Sequence, residues 1–174
     1  MEVDIPKIGL VFGSDTGITE EITNIILEKW ESKEISAIEV TDISPDYFND
    51  YEFLILGLST WYDGDLQSDW ETFLDDFKTV DFTGKTVALF GLGDQIGYGE
   101  YFIDGVGILS EIIIDKGGEI IGNWPIDGYE FTESKALIND SHFYGLAIDE
   151  DTQSDLTNER VDKWLKILEK EYKN

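Results

Sequence analysis

Short, continuous apolar segments alternate with amphipathic helical patterns along most of this chain. The runs Ile8 to Phe12, Phe53 to Leu58 and Thr86 to Phe90 are typical of strands that are buried on both faces of a sheet. The segment Ile35 to Val40 alternates apolar and polar residues, as an edge strand does, and Glu119 to Gly122 begins a fifth strand. Strands that alternate with helices in this way build parallel sheets.

Four helices are predicted between and after these strands, because apolar residues recur there at helical spacing. A capping box over Ser68 to Glu71 predicts where the second helix begins, and Lys116-Gly117-Gly118 predicts where the third ends. The alternation predicts an α/β fold, a doubly wound parallel sheet with helices on both faces. The four apolar faces comprise Ile18, Ile22, Ile25, Ile26 and Trp30; Leu66, Trp70, Phe73, Leu74 and Phe77; Phe102, Val106, Leu109 and Ile113; and Val161, Trp164, Leu165, Leu168 and Tyr172.

The stretch 124–147 interrupts this alternation, because it is polar, aromatic and loop-like where the fifth strand should end. We therefore expect an insertion of approximately residues 124–147 in the fifth strand. We expect it to lie within a single domain that spans residues 1–174.

Composition excludes several classes of chemistry. The chain has no Cys and one His, and its single Met is Met1, so thiolate zinc sites, iron–sulfur clusters, multi-His metal sites and a His/Met haem are excluded. The 12 Lys+Arg against 38 Asp+Glu give a net charge of -26, which repels nucleic acid and anionic lipid. No apolar run reaches the ~18 residues that span a bilayer. We therefore expect no metal, no nucleic-acid partner and no membrane insertion. The N-terminal MEVDIPK has no signal-peptide core, so we expect a cytoplasmic protein.

The loop after the first predicted strand, Gly13 to Thr19, has the composition of a phosphate site. Two glycines and three hydroxyl side chains lead into the N-terminus of a helix. Glycine lets the backbone approach a ligand, and the free N–H groups and dipole of the helix favour an anion. The loop lacks both the Gly-Lys-Ser/Thr of a Walker A motif and the GxGxxG fingerprint. An ordinary Ser/Thr-capped helix start is the alternative interpretation.

Aromatic residues occupy the loops after the third and fourth strands. Trp61 and Tyr62 follow the third strand, and Tyr98 follows the fourth among four glycines of the segment Gly91 to Gly99. Packing of the rings under their loops, or a merely flexible turn, is the alternative. Because neighbouring parallel strands end at the same edge of a sheet, the three loops together supply an anion site and two rings that could enclose a planar ligand. FMN has these parts: one phosphate, a ribityl chain and an isoalloxazine ring.

Several segments also match one known family in the same order. GSDTGITE, STWYDGDLQSDW and GLGDQIGYGEYF correspond to its three binding loops, and WPIDGYEFTESKALIND and GLAIDEDTQSDLT to an insertion and the return from it. On these motifs the sequence resembles the flavodoxins, specifically the long-chain group. The resemblance implies a flavodoxin-like five-stranded parallel sheet in the order 2-1-3-4-5, with non-covalently bound FMN. It also implies an electron-transfer protein that substitutes for ferredoxin, and not an enzyme.

The resemblance assigns roles to particular residues. It implies that the first loop holds the phosphate, that Trp61 and Tyr98 cover opposite faces of the flavin, and that the turn 62–64 lies beside flavin N5. Contacts to the ribityl chain or the pyrimidine edge are implied for Thr60, Asp94, Gln95 and Asp151. The implied cofactor-binding residues are Ser14, Asp15, Thr16, Gly17, Ile18, Thr19, Ser59, Thr60, Trp61, Tyr62, Asp63, Gly64, Gly93, Asp94, Gln95, Tyr98, Tyr101 and Asp151.

Three residues depart from the pattern of the family. Ile18 stands where several relatives carry Lys, so the phosphate has no basic residue within the loop. Asp15 adds a negative charge to that loop, and Asp63 places a carboxylate in the turn beside N5. These departures bear on the affinity for FMN and on the stability of its semiquinone.

The charge distribution predicts the working potential and the kind of partner. Residues 42–104 contain fourteen acidic and two basic residues, whereas residues 160–174 contain five basic and three acidic ones. The binding loops offer no Lys or Arg to neutralise an anionic hydroquinone, so the semiquinone/hydroquinone couple is expected to be the low-potential, working one. We expect a monomer whose acidic flavin edge meets basic redox proteins such as ferredoxin-NADP reductase, photosystem I or ferredoxin-dependent reductases.

Other proteins of this fold are alternatives. An FMN-dependent NAD(P)H:quinone reductase also binds FMN in this fold, but it needs a pocket for the nicotinamide and usually a catalytic His or Tyr. The only histidine, His142, falls in the predicted insertion. A phosphorelay receiver needs acidic residues where this chain has Gly13-Ser14 and Ser59-Thr60. The sequence therefore favours the electron carrier.

Overall fold

The computed structural model describes residues 7–31 and 33–172. Its strands are β1 (Ile8–Phe12), β2 (Ile35–Glu39), β3 (Phe53–Trp61), β4 (Asp65–Leu66), β5 (Thr86–Leu92), β6 (Glu119–Ile120), β7 (Trp124–Pro125), β8 (His142–Phe143) and β9 (Leu146–Ile148). Its α-helices are α1 (Ile18–Lys29), α2 (Ser68–Phe77), α3 (Asp104–Asp115) and α4 (Thr157–Glu171). Short 3-10 helices span Val40–Asp42, Pro45–Asp50 and Ser154–Leu156.

The main sheet has β1 and β3 near its centre. Its strands follow the order β2-β1-β3-β5-β6, and each of these neighbouring pairs is parallel. The predicted order 2-1-3-4-5 is confirmed, with β5 and β6 as its fourth and fifth strands. All of β1 and the first six residues of β3 are buried, as their continuous apolar sequences predict.

Helices cover both faces of this sheet. Right-handed crossovers that move in opposite directions along a sheet place their helices on opposite faces. The crossover from β1 to β2 through α1 moves one way, and those from β3 to β5 through α2 and from β5 to β6 through α3 move the other way. The helix α1 therefore lies on the opposite face from α2 and α3, and α4 packs against α1, where Lys29 and Asp162 form an ion pair of 3.0 Å.

The sheet differs from the prediction in one strand pairing and in where the insertion ends. The strand β4 pairs antiparallel with the end of β3, so the sheet is not wholly parallel. The fifth strand is in two pieces, as an insertion in it predicts: β6 pairs with the start of β5 and β9 pairs with its end. The insertion predicted over 124–147 ends earlier, since Leu146 and Ala147 belong to β9. Within the insertion, β7 and β8 form an antiparallel pair.

The capping box and the Lys116-Gly117-Gly118 sequence place one helix start and one helix end correctly, but one cap is wrong, and Leu66 and Phe102, which were predicted on helical faces, lie before α2 and α3. The helix α2 begins at Ser68, yet the side chain of the preceding residue, Gln67, caps it by accepting a hydrogen bond of 3.2 Å from the Trp70 N–H. At the end of α3, Gly117 has a φ of 89°, and the Gly118 N–H donates to the Ile113 carbonyl at 2.9 Å. This is the helix-ending arrangement that the Lys116-Gly117-Gly118 sequence predicts.

Candidate functional site

A cavity of ≈ 370 Å³ opens at the carboxyl ends of β1, β3 and β5. This is the edge of a doubly wound sheet where ligands bind, and the volume lies within the range of small-molecule sites. The lining residues come from the three predicted loops and from the segment after β9: Asp15, Thr16, Ile18, Thr19, Ser59, Thr60, Trp61, Tyr62, Leu92, Gly93, Asp94, Tyr98, Glu150 and Asp151.

The structure brings most of the predicted site residues to this cavity. Twelve of the predicted residues are among those that line it. Ser14 and Gly17 belong to the same first loop, and Asp63 and Gly64 to the turn beside Trp61, without lining the cavity themselves. The sequence missed Leu92, the last residue of β5, and Glu150. The position of Glu150 just after an apolar segment that returns to the sheet was the signal that could have indicated it.

The first loop presents the start of α1 to the cavity. Gly17 precedes the helix with a φ of 89°, and its N–H donates to Ser14 Oγ at 3.0 Å. The first turn of a helix has N–H groups without partners in the helix, and its dipole attracts negative charge. The hydroxyl-bearing Thr16 and Thr19 line the cavity at this point. The loop therefore has the donors and the field of an anion site.

The carboxylate of Asp15 is held by donors from the start of α2. Gln67 Nε2 donates to Asp15 Oδ1 at 3.0 Å, and Ser68 Oγ donates to the same oxygen at 2.6 Å. These two hydrogen bonds partly satisfy a negative charge that otherwise opposes an anion in the loop. They also tie the first loop to the helix that follows β3 and β4.

A tight turn carries Tyr62, Asp63 and Gly64 between β3 and β4. Trp61 pairs with Asp65, and the turn is closed by a φ of 45° at Tyr62 and of 88° at Gly64. A positive φ is rare at a residue other than glycine, so the Tyr62 backbone is strained. Strain of this kind is common at functional sites.

Three aromatic rings, those of Trp61, Tyr62 and Tyr98, line the cavity. Trp61 and Tyr62 have ring centroids 6.2 Å apart, and Tyr62 and Tyr98 have centroids 6.4 Å apart at 88°. Tyr62 is 64% exposed and Tyr98 45% exposed, whereas the Trp61 indole N–H is buried without a hydrogen-bond partner among the described residues. Exposed rings beside a buried, unsatisfied donor indicate a site that a planar, partly polar ligand would complete.

Hydrogen bonds within and between the loops fix their shape. Asp94 Oδ1 accepts from the backbone N–H groups of Ile96 (3.0 Å) and Gly97 (2.7 Å), which closes the loop that carries Tyr98. Thr60 Oγ1 accepts from the Gly105 N–H at 2.9 Å, which joins the end of β3 to the first turn of α3. Thr60 therefore has a structural bond in addition to its place in the cavity wall.

Two predicted contact residues lie elsewhere. Gln95 is buried outside the cavity, where its Nε2 donates to Asp149 Oδ2 at 2.7 Å and its Oε1 accepts from the Glu130 N–H. Its side chain is thus hydrogen-bonded within the protein, and its contact to a ribityl chain or a ring edge stays a prediction. Tyr101 lies beside Gly64 and away from the cavity lining, and the nearby Asp63 carboxylate raises the pKa of its phenol.

The cavity is acidic. Asp15, Asp94, Glu150 and Asp151 line it, and none of its lining residues within the described chain is Lys, Arg or His. Burial raises the pKa of Asp151, and the charges of Asp94, Asp149 and Glu150 raise it further. A negative charge that appears on a bound ligand would therefore be destabilised.

Residues 7–31 and 33–172 contain neither a cluster of metal ligands nor a helix that could cross a membrane. Among these residues, no three His, Cys, Asp or Glu side chains are grouped so that they could hold a metal ion. None of the helices in the same residues has the length and apolar character that a bilayer crossing requires.

Known proteins resemble this chain over nearly its whole length. The sequence model of the flavodoxin family matches residues 10–164. The chain is 47% identical over 166 residues to a flavodoxin of a Nostoc species, which covers 95% of this chain and 97% of that one. It is also 47% identical over 164 residues to flavodoxin 1 of Escherichia coli, with 94% and 93% covered.

Solved structures agree. The Fusobacterium nucleatum flavodoxin bound to flavin mononucleotide superposes with a TM-score of 0.91 at 33% identity, covering 97% of this chain and 99% of that one. Oxidised flavodoxin 1 of Bacillus cereus superposes with a TM-score of 0.71 at 25% identity, covering 96% and 99%. The sequence matches and the shared architecture show that the chain belongs to the flavodoxin family.

Proposed function

We propose that this chain carries single electrons at low potential on FMN that is held non-covalently in the cavity described above. Membership of the flavodoxin family makes the chain an electron carrier that uses FMN, rather than an enzyme. The binding residues, the low potential and the partners are our proposal. The observation that carries it is one cavity that joins an anion-binding helix start to two aromatic rings.

The residues of the cavity fit the chemical parts of FMN. The start of α1, with Thr16 and Thr19, suits a phosphate, and the hydrogen bonds from Gln67 and Ser68 to Asp15 reduce the repulsion that this carboxylate would exert. The indole N–H of Trp61, a residue of the cavity wall, is buried and has no partner among the described residues. A planar ring between Trp61 and Tyr98 would bury both aromatic faces.

Each element of the site has a distinct task. The first loop would bind the phosphate and so fix the depth of the cofactor, and Trp61 and Tyr98 would orient the ring and exclude water from its faces. Asp94 and Asp151 would contact the ribityl chain and the polar edge of the ring. Bound FMN supplies one-electron redox chemistry, and the protein supplies position and electrostatic field.

The acidic cavity wall lowers the potential of the second electron. A charge ~10 Å from another at an effective dielectric constant of ~20 changes its energy by about 1.7 kcal/mol. For one electron this is about 70 mV, since a tenfold change in the equilibrium constant is ~59 mV. With Asp94, Glu150 and Asp151 all in the cavity wall, the lower potential is expected to fall well below that of free FMN.

Electron transfer partners are expected to be basic. Flavodoxins donate electrons to redox proteins in general, and the net charge of -26 favours encounter with a positively charged surface. Ferredoxin-NADP reductase, photosystem I and ferredoxin-dependent reductases have the chemistry that fits. A monomeric state and a cytoplasmic location stay predictions from the sequence.

An anaerobic reductive titration of the FMN-loaded chain tests the proposal. Reduction in two separated one-electron steps, with no bleaching by NAD(P)H alone, supports the carrier. A single two-electron step, or rapid bleaching by NAD(P)H alone, would contradict it and favour an FMN-dependent NAD(P)H:quinone reductase. Failure of the purified chain to bind added FMN would contradict the assignment of the cavity.

A further inference from the structure

A buried carboxylate behind the cavity wall collects hydrogen bonds from two separate loops. Asp149 follows β9, is fully buried and does not line the cavity. Its Oδ2 accepts from the Gln95 N–H (3.2 Å), from Gln95 Nε2 (2.7 Å) and from Thr152 Oγ1 (2.6 Å). Its Oδ1 accepts from the N–H groups of Asp151 (3.1 Å) and Thr152 (2.9 Å). The two carboxylate oxygens of Asp149 thus accept five hydrogen bonds.

These donors belong to the loops that form the acidic side of the cavity. Gln95 is adjacent to the cavity residue Asp94 and lies in the loop that carries Tyr98, whereas Asp151 is itself a cavity residue. The Gln95 Oε1 also accepts from the Glu130 N–H, so the same network reaches the insertion. Asp149 therefore joins three segments that are distant in sequence.

The loops held in this way repel one another. Asp94, Glu150 and Asp151 are all acidic, and the pKa of Asp151 is raised in part by the charges of Asp94 and Glu150. A buried ionised carboxylate is costly unless it is hydrogen-bonded, and bonds to an ionised acceptor are among the strong ones. The donors from both loops offset the cost of burying the Asp149 carboxylate.

We propose that Asp149 is a positioning residue for the cofactor: it holds the loop of Tyr98 and the Glu150-Asp151 segment at the separation that a flavin ring requires. This inference rests on the proposed function. Asp149 does not line the cavity and so would act through these loops, and the first loop shares no hydrogen bond with it among the described residues. Substitution of Asp149 should therefore weaken binding of the flavin ring and leave binding of the phosphate unchanged.

The test compares D149N with D155N. Asn is isosteric with Asp, but its amide NH2 group faces donors and so breaks the bonds to one of the two oxygens. Asp155 is exposed, lies in the same segment and does not line the cavity, so D155N removes the same charge without touching the network. Binding of FMN, riboflavin and inorganic phosphate to each apoprotein would be measured at one ionic strength.

We expect D149N to bind FMN and riboflavin about 10- to 100-fold more weakly than D155N, by the same factor for both, with unchanged affinity for phosphate. A weaker FMN affinity in D149N is informative, because the loss of a negative charge near an anionic cofactor would by itself strengthen FMN binding. T152V, which removes one of the five donors, should give a smaller loss of the same kind.

Three outcomes would overturn the inference. The first is FMN and riboflavin affinities of D149N within twofold of those of D155N. The second is an equal loss of phosphate affinity, which would mean that Asp149 supports the whole fold and not the ring side. The third is a loss in D149N with no loss in T152V. Failure of the unsubstituted chain to bind FMN would instead refute the proposed function, so the two claims fail separately.

Discussion

Replacement of Gly64 by Ala is expected to destabilise the turn beside Trp61 by two separate effects. The φ of Gly64 is 88°, a conformation that costs an L-residue roughly 1–2 kcal/mol. In addition, a Cβ at this position would lie 2.8 Å from Asp104 Oδ2 and 3.3 Å from Tyr101 Cδ1. The first contact is too short to persist, so the Asp104 carboxylate, which accepts a hydrogen bond from the Lys135 N–H, or the turn itself must shift, at a further cost of about 1–3 kcal/mol.

Gly84 provides the matched control. Its φ is 79°, but a Cβ there would have no atom within 4 Å, so G84A tests the backbone cost alone. Urea unfolding of the apoproteins should show a loss of about 1–2 kcal/mol in G84A and a loss that is larger by about 1–3 kcal/mol in G64A. FMN affinity should fall in G64A, since the displaced turn carries Tyr62, and should stay unchanged in G84A.

The result that would refute this reasoning is a free energy of unfolding for G64A equal to that for G84A. The contact with Asp104 would then cost nothing. Unchanged FMN affinity in a destabilised G64A would show that the turn does not contribute to the site.

Further predictions concern the aromatic rings, the carboxyl group of Asp104 and the electron-transfer partner. W61A and Y98A should each weaken FMN binding by roughly 10- to 100-fold, because stacking on an aromatic side chain is worth about 1–3 kcal/mol; unchanged affinities in a fluorescence titration would remove the rings from the site. Burial raises the pKa of Asp104, because the folded protein favours the neutral carboxyl group over the charged one. The stability that the neutral form contributes is complete below the unfolded pKa and is lost as the pH rises through the folded pKa. D104N should therefore be more stable than the unsubstituted apoprotein at pH ~7, and this gain should disappear below the unfolded pKa of about 3.9. Urea unfolding at both pH values measures the gain, and a larger gain at the lower pH would contradict the prediction. The rate of electron transfer to a basic redox protein should fall steeply as salt rises from ~0.05 to ~0.5 M, and a flat dependence would contradict attraction by the acidic surface.

Most of the fold could be predicted because its strands carry their burial in their own sequences. β1, β3 and β5 are apolar along nearly their whole length, and the helices repeat at helical spacing. The antiparallel β4 was missed, and the return strand β9 was indicated only by the resemblance, because strands of two or three residues are too short to show a pattern. Their positions are set by pairing with β3 and β5 and not by local sequence.

The site could be predicted as a set of loops but not side chain by side chain. The topology brings strand ends together, and the loops there contained the right residue types. The direction of Gln95, however, is decided by Asp149, which lies 54 residues further along the chain. Without a known partner, a polar side chain in a binding loop is as compatible with a ligand as with a buried hydrogen bond. The same reason explains why the capping role of Gln67 escaped the capping-box pattern.

The lower one-electron potential of the FMN-loaded protein, measured by anaerobic potentiometric titration in D151N and D94N, tests the central claim most directly. Asp46 lies in a 3-10 helix at the opposite end of β3, so D46N removes an equal charge far from the cavity. If the acidic wall sets the potential, each cavity variant should raise it by about 70 mV at low ionic strength, whereas D46N should leave it nearly unchanged. Equal potentials in all three variants and the unsubstituted protein would contradict the account.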